Sequence, residues 1–112
     1  MNEQAFKDKT KSVAVLAIRL VQTLPPNATV HELGRQFLHC ATAMGALCRH
    51  THDWKVPSER HEILHQTIQY AEECLYWLEL FSESALVQPD RAEMMAEEIT
   101  IVLDFAVQAL RK

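Results

Sequence analysis

The chain has 112 residues, a formal net charge of −4 and 48% apolar side chains. That is one domain's worth of sequence, with enough apolar content to bury a core, and it excludes a disordered chain. The negative balance weighs against a surface given over to phosphate backbones, and two glycines with four prolines disfavour a sheet protein full of tight turns.

The first predicted helix runs from about Glu3 to Leu24, where Pro25 and Pro26 stop it because neither has a backbone N–H to donate. Up to Ser12 it is charged, with Lys7, Lys9 and Lys11. Beyond Ser12 it is apolar nearly all round. Val13, Leu16, Ala17, Leu20 and Leu24 share one face, while Val15, Ile18 and Val21 point elsewhere. A helix apolar on two sides in so small a chain predicts a subunit interface as well as a core.

Thr29, with Glu32 three residues later, has the form of a capping box and opens the second helix. That helix carries Leu33, Phe37, Leu38, Ala41, Met44, Leu47 and Cys48 inward and frays near His50. Its middle, Cys40 to Ala46, is built of small residues. Gly45 is less favourable in a helix than Ala by about 1 kcal/mol, which points to close approach of a neighbouring helix.

Residues 51–58 form the next loop, holding Asp53, Trp54 and Pro57, and Ser58 is the predicted cap of a third helix that ends near Ser84. This third helix contains the densest apolar block in the chain, Leu75, Tyr76, Trp77, Leu78, Leu80 and Phe81. The stripe Leu64, Ile68, Ala71, Leu75, Leu78 steps by four and three and makes one buried face, with Tyr70, Cys74, Trp77 and Phe81 beside it. After a loop over 85–89, Asp90 with Glu93 predicts a capped fourth helix. Ile99, Val102, Leu103, Ala106 and Leu110 form its core face, and Ile101 and Phe105 a second stripe. Four helices with short connections predict an all-α, antiparallel up-down-up-down four-helix bundle, a single domain over 1–112. The side chains assigned to an oligomer interface are Val15, Ile18, Tyr70, Trp77, Ile101 and Phe105.

Cys40, Cys48 and Cys74 all sit in apolar helical contexts without close pairs, which reads as buried free thiols in a reducing compartment. No apolar run reaches the length of a membrane span, and the polar N-terminus lacks the pattern of a signal peptide. The expected location is the cytoplasm.

The segments A-I-R-L-V-Q-T-L-P, L-G-R-Q-F-L, A-T-A-M-G-A and A-E-E-C-L-Y-W-L-E-L-F-S-E-S-A-L-V resemble the bacterial four helix bundle protein family. That family includes proteins encoded by intervening sequences within large-subunit ribosomal RNA genes. The accessory variability determinant of diversity-generating retroelements is a relative. The resemblance spans roughly Ala17 to Val87, and Glu73 to Leu80 is its most specific part. It implies an antiparallel bundle assembled as a homopentameric ring, with no established enzymatic activity; no cofactor is expected. It also implies macromolecular partners, since the retroelement relatives bind nucleic acid and reverse transcriptase through a basic surface. The chain departs from the family's second helix, with His39 in place of an Arg, Ala43 in place of a Ser and Leu47 in place of an Asn. The basic segment after that helix is here R-H-T-H-D-W-K.

The sharpest chemical motif is H-E-I-L-H, His61-Glu62-Ile63-Leu64-His65. Two His at i and i+4 share a helix face and can hold zinc, with the intervening Glu as general base of a hydrolase. A third ligand is missing from the spacing. Glu79 lies roughly 20 Å along the helix axis from His65 at 1.5 Å per residue, and no His follows. His50, His52 and His61, with Asp53, come from helix ends that meet in space. Together with His65 they are the candidate metal ligands. Lys7, Lys9, Lys11, Arg19 and Arg35 are the candidate basic patch, and without interleaved aromatics they read as a solvated face.

Overall fold

Asn2 opens the first helix, α1 (Glu3–Val21): its side-chain Oδ1 accepts a hydrogen bond from the Ala5 N–H at 2.8 Å. The computed structural model describes residues 1–50 and 54–112, apart from the side chain of His50. Among these, four helices and no strand are present, α1 being followed by α2 (Ala28–His50), α3 (Pro57–Glu83) and α4 (Pro89–Leu110). The first helix stops three residues short of the sequence expectation. Gln22 caps it, and Thr23 and Leu24 donate to carbonyls only three residues back. Pro25 explains this, because its ring disfavours helical geometry at Leu24.

The caps differ from those read in the sequence. Asn27, and not Thr29, opens α2, its Oδ1 accepting from the Val30 N–H at 3.0 Å. Glu32 is turned away from the helix end and accepts from Arg35 and Gln36 instead. Ser58 and Asp90 lie inside their helices. Each helix starts at the preceding proline, Pro57 or Pro89, with no side-chain cap. Proline's fixed φ and missing N–H suit the first helical position, where the N–H would have no partner.

At the other end of α3, Ala85 adopts φ 62°. The Leu86 N–H donates to Phe81 O at 2.9 Å and the Ala85 N–H to Ser82 O at 3.1 Å, the paired closure of a Schellman turn. A left-handed residue with a Cβ is strained by roughly 1–2 kcal/mol. Ala85 is exposed, so no packing is lost on removing its methyl. Ala85→Gly is therefore expected to stabilise the fold by about 0.5–1 kcal/mol, after allowing for glycine's larger unfolded-state freedom. A thermal melt that moves down would contradict this.

Contacts along the seams run in opposite directions on successive helices. Phe37 meets Phe81 at 5.5 Å and the Cys40 thiol reaches Glu73, so α2 and α3 are antiparallel. Phe6 meets Phe105 at 4.8 Å while Arg91 reaches Thr23, so α1 and α4 are antiparallel too. Each helix touches its two neighbours in the square and not its diagonal partner, and the α1–α4 seam is the thinnest of the four.

The core runs the length of the bundle. Phe6, Phe37, Phe81, Met44, Leu64 and Ile99 are its largest fully buried side chains. Phe6 was hidden by the lysines around it, yet Phe6, Thr10, Val13, Ala17 and Leu20 form one unbroken buried stripe. Trp54 packs against Phe6 at 5.8 Å and covers that end of the core. Gly45 does lie against the α1 backbone. A Cβ there would sit 3.6 Å from Thr10 O, an ordinary contact, so close approach alone does not require glycine.

Candidate functional site

His61, Glu62 and His65 lie on the exposed side of α3, where Glu62 accepts a hydrogen bond from Gln66. His52 and Asp53, also candidate metal ligands, and the side chain of His50 lie outside the described residues. Among the described residues, no three His, Cys, Asp or Glu side chains converge closely enough to hold a metal ion.

The three cysteines are free and buried. Cys40 donates its S–H to Glu73 Oε2 at 3.0 Å, joining α2 to α3. Burial, then the Glu73 carboxylate, pushes its pKa up to about 12. Burial raises Cys74 as well, with Cys40 and Glu73 adding to the effect, and burial raises Cys48. A thiol kept protonated is a poor nucleophile. All three are expected to resist a thiol-alkylating reagent at pH 8 in the native protein and to react on unfolding. Fast native labelling of any of them, read by intact mass, would contradict this. Cys40 is held neutral up to about 12 against an ordinary 9.0, so its contribution to stability is intact below pH 9 and is lost as the pH rises from there.

The candidate basic residues do not form one patch: Arg19 is exposed beside a separate hollow between α1 and α4. Lys9 forms an ion pair with Glu98 across the α1–α4 seam, and Arg35 pairs with Glu32 on its own helix. Lys7 and Lys11, by contrast, stand with Arg49 around an open trough of about 680 Å³ between α1 and α2. The small side chains Ala14, Gly45, Ala46 and Cys48 line it, with Gln4 and Thr42. The small-residue stretch of α2 is thus what hollows the surface here. No ion pair holds Lys7, Lys11 or Arg49 among the described residues, although Glu3 lies near enough to act on Cys48. Arg49 was absent from the basic set read in the sequence, because its convergence with Lys7 depends on how α1 and α2 are rotated.

The side chains assigned to an interface also divide. Val15, Ile18 and Ile101 are 40%, 42% and 44% exposed. Tyr70, Trp77 and Phe105 are half-buried and packed against the chain's own core. Tyr70 meets His39 edge-on at 5.8 Å, and Phe105 stacks near Phe6. Three further large apolar groups are exposed: Met1, Tyr76 on α3, beside Trp77, and Met94 on α4. No helix of the described residues is long and apolar enough to cross a membrane.

No protein-family model and no curated protein matches the chain. Among solved structures, it is similar to a protein of unknown function from the S23 ribosomal protein family of Bacteroides thetaiotaomicron. The match covers 98% of each chain, with a TM-score of 0.82 and 22% sequence identity. At that identity the likeness concerns the fold: four helices in the same arrangement over the full length.

Proposed function

We propose that this chain is a non-catalytic, self-associating scaffold that works through its helix surfaces, assembled as a ring of five copies and binding a macromolecule. The observation that carries the reading is where apolar surface remains. Four of the large exposed apolar side chains, Val15, Ile18, Met94 and Ile101, lie on α1 and α4, with Tyr76 on α3 and Met1 before α1, a distribution that a second protein surface would cover. The thiols support the same reading, since they are buried and held protonated. The five-fold count comes from the family resemblance.

RNA is the first macromolecule to test. The retroelement relatives named by the family resemblance bind nucleic acid, and the similar structure carries a ribosomal family name. A protein partner is the other possibility within the same reading. The test is native mass spectrometry of untagged protein purified without added metal, followed by titration with a single-stranded RNA at two salt concentrations. A five-chain, metal-free assembly is expected, with RNA affinity falling steeply as salt rises. A monomer with one stoichiometric zinc per chain, losing a hydrolytic activity in Glu62→Gln, would overturn the reading.

A further inference from the structure

We propose that the trough between α1 and α2 is filled by the outer face of α4 from a second copy of this chain, in a head-to-tail contact. The inference rests on the self-association proposed above and names the two surfaces that carry it.

The trough offers three cations without an ion-pair partner among the described residues, Lys7, Lys11 and Arg49, over a hollow of small side chains. Ile18, one turn beyond Ala14, continues its α1 wall as an exposed apolar group. Its occupant should be a helix with acids beside an apolar ridge. The outer face of α4 has that composition. Met94 and Ile101 are two turns apart and exposed. Glu97 and Asp104, also two turns apart and exposed, lie next to them, and neither makes a hydrogen bond or ion pair among the described residues. Within one chain the two surfaces cannot meet, because α4 lies diagonally across the bundle from α2.

The levels along the bundle match as well. Phe6 lies level with Phe105, Lys9 with Glu98, and Leu16 with Met94 on the wall of a shared hollow. By those pairs Lys7 is level with Asp104 and Lys11 with Glu97, and Ile18 lies within a turn of the level of Met94. A neighbour rotated about an axis parallel to the helices, without sliding, therefore brings opposite charges together at two levels and apolar groups at a third. A contact between unlike surfaces closes into a ring only when it involves no translation along the axis and its rotation divides a full turn, and otherwise builds a filament. The outer face of α3 is acidic too, through Glu72, Glu79 and Glu83. It offers a single large apolar group, Tyr76, whose ring already rests on Trp77 at 5.5 Å.

Charge reversal tests the pairing, with assembly measured by sedimentation velocity over a dilution series. Lys7→Glu with Lys11→Glu, or Glu97→Lys with Asp104→Lys, is expected to raise the protomer concentration for half-assembly at least about tenfold, since like charges then face each other. Combining all four is expected to restore assembly. Ala46→Trp, at an exposed position, fills the trough without altering charge and should weaken assembly as well, with helicity by circular dichroism unchanged. Wild-type oligomers that persist in both double variants and in Ala46→Trp would overturn the inference and leave self-association standing. So would a four-site variant that does not recover, or the same loss and rescue using Glu72→Lys with Glu79→Lys. A wild-type chain that is monomeric at tens of micromolar would overturn both readings.

Discussion

Replacing Phe81 with alanine is expected to lower the unfolding free energy by about 3–5 kcal/mol, the range for truncating a buried aromatic. Phe81 is fully buried, and its ring meets Phe37 edge-on at 5.5 Å and 71°. Edge-to-face pairs add about 0.5–1.5 kcal/mol beyond their buried area. The position also fixes the end of α3, because Phe81 O accepts from both Leu86 and Val87. A void left here lies between two helices and beneath a closed turn, so little can move in to fill it. Domains of this size are stable by about 5–15 kcal/mol, and the substitution removes a large share of that. Denaturant unfolding of the wild type and of Phe81→Ala provides the measurement, with Phe81→Leu as a milder control. A loss below about 1 kcal/mol would show that the core collapses around the gap.

The second large effect concerns two buried threonines with opposite outcomes. Thr10 and Thr67 are both fully buried. Thr10 Oγ1 donates to Lys7 O at 3.0 Å and also interacts with the Cys48 thiol. Thr67 Oγ1 has no hydrogen-bond partner among the described residues. A buried hydroxyl left unpaired costs about 1–3 kcal/mol, whereas a satisfied one contributes about 1 kcal/mol. Valine has the same branched shape and no hydroxyl. Thr67→Val is therefore expected to stabilise the protein by about 1–2 kcal/mol and Thr10→Val to destabilise it by about 1 kcal/mol. Shifts of the same sign in the two variants would mean that burial alone, and not hydrogen bonding, decides the effect.

The bundle was legible in the sequence because its core faces repeat with helical spacing, as in Leu64, Ala71 and Leu78 on α3 or Ile99, Val102 and Ala106 on α4. The misreadings arose where one residue type serves two purposes. Ser58 and Asp90 are good caps by type, but a proline just before each already starts the helix. Phe6 sat among lysines, and its stripe passes through a threonine, so periodicity counted on apolar residues alone broke at Thr10. The division of the lysines could not be read at all. Lys9 differs from Lys7 and Lys11 only in which neighbouring helix it faces, and that depends on the rotation of α1 in the bundle. The trough has the same origin. Small residues at Ala14, Gly45 and Ala46 are unremarkable until two helices bring them side by side.

The unequal seams bear on how the chain folds. Three of them join helices that follow each other in the chain, and the thinnest, α1–α4, joins the first to the last. Each consecutive pair can close over a short loop with little entropy lost, which favours rapid folding hairpin by hairpin. The first-to-last closure spans the whole chain and returns the least contact, so it should form last and be the first to open. In hydrogen exchange, amides on the α1 and α4 sides of that seam should show the lowest opening free energies, below those of α2 and α3. Uniform protection across all four helices would instead mean that the bundle opens as one unit.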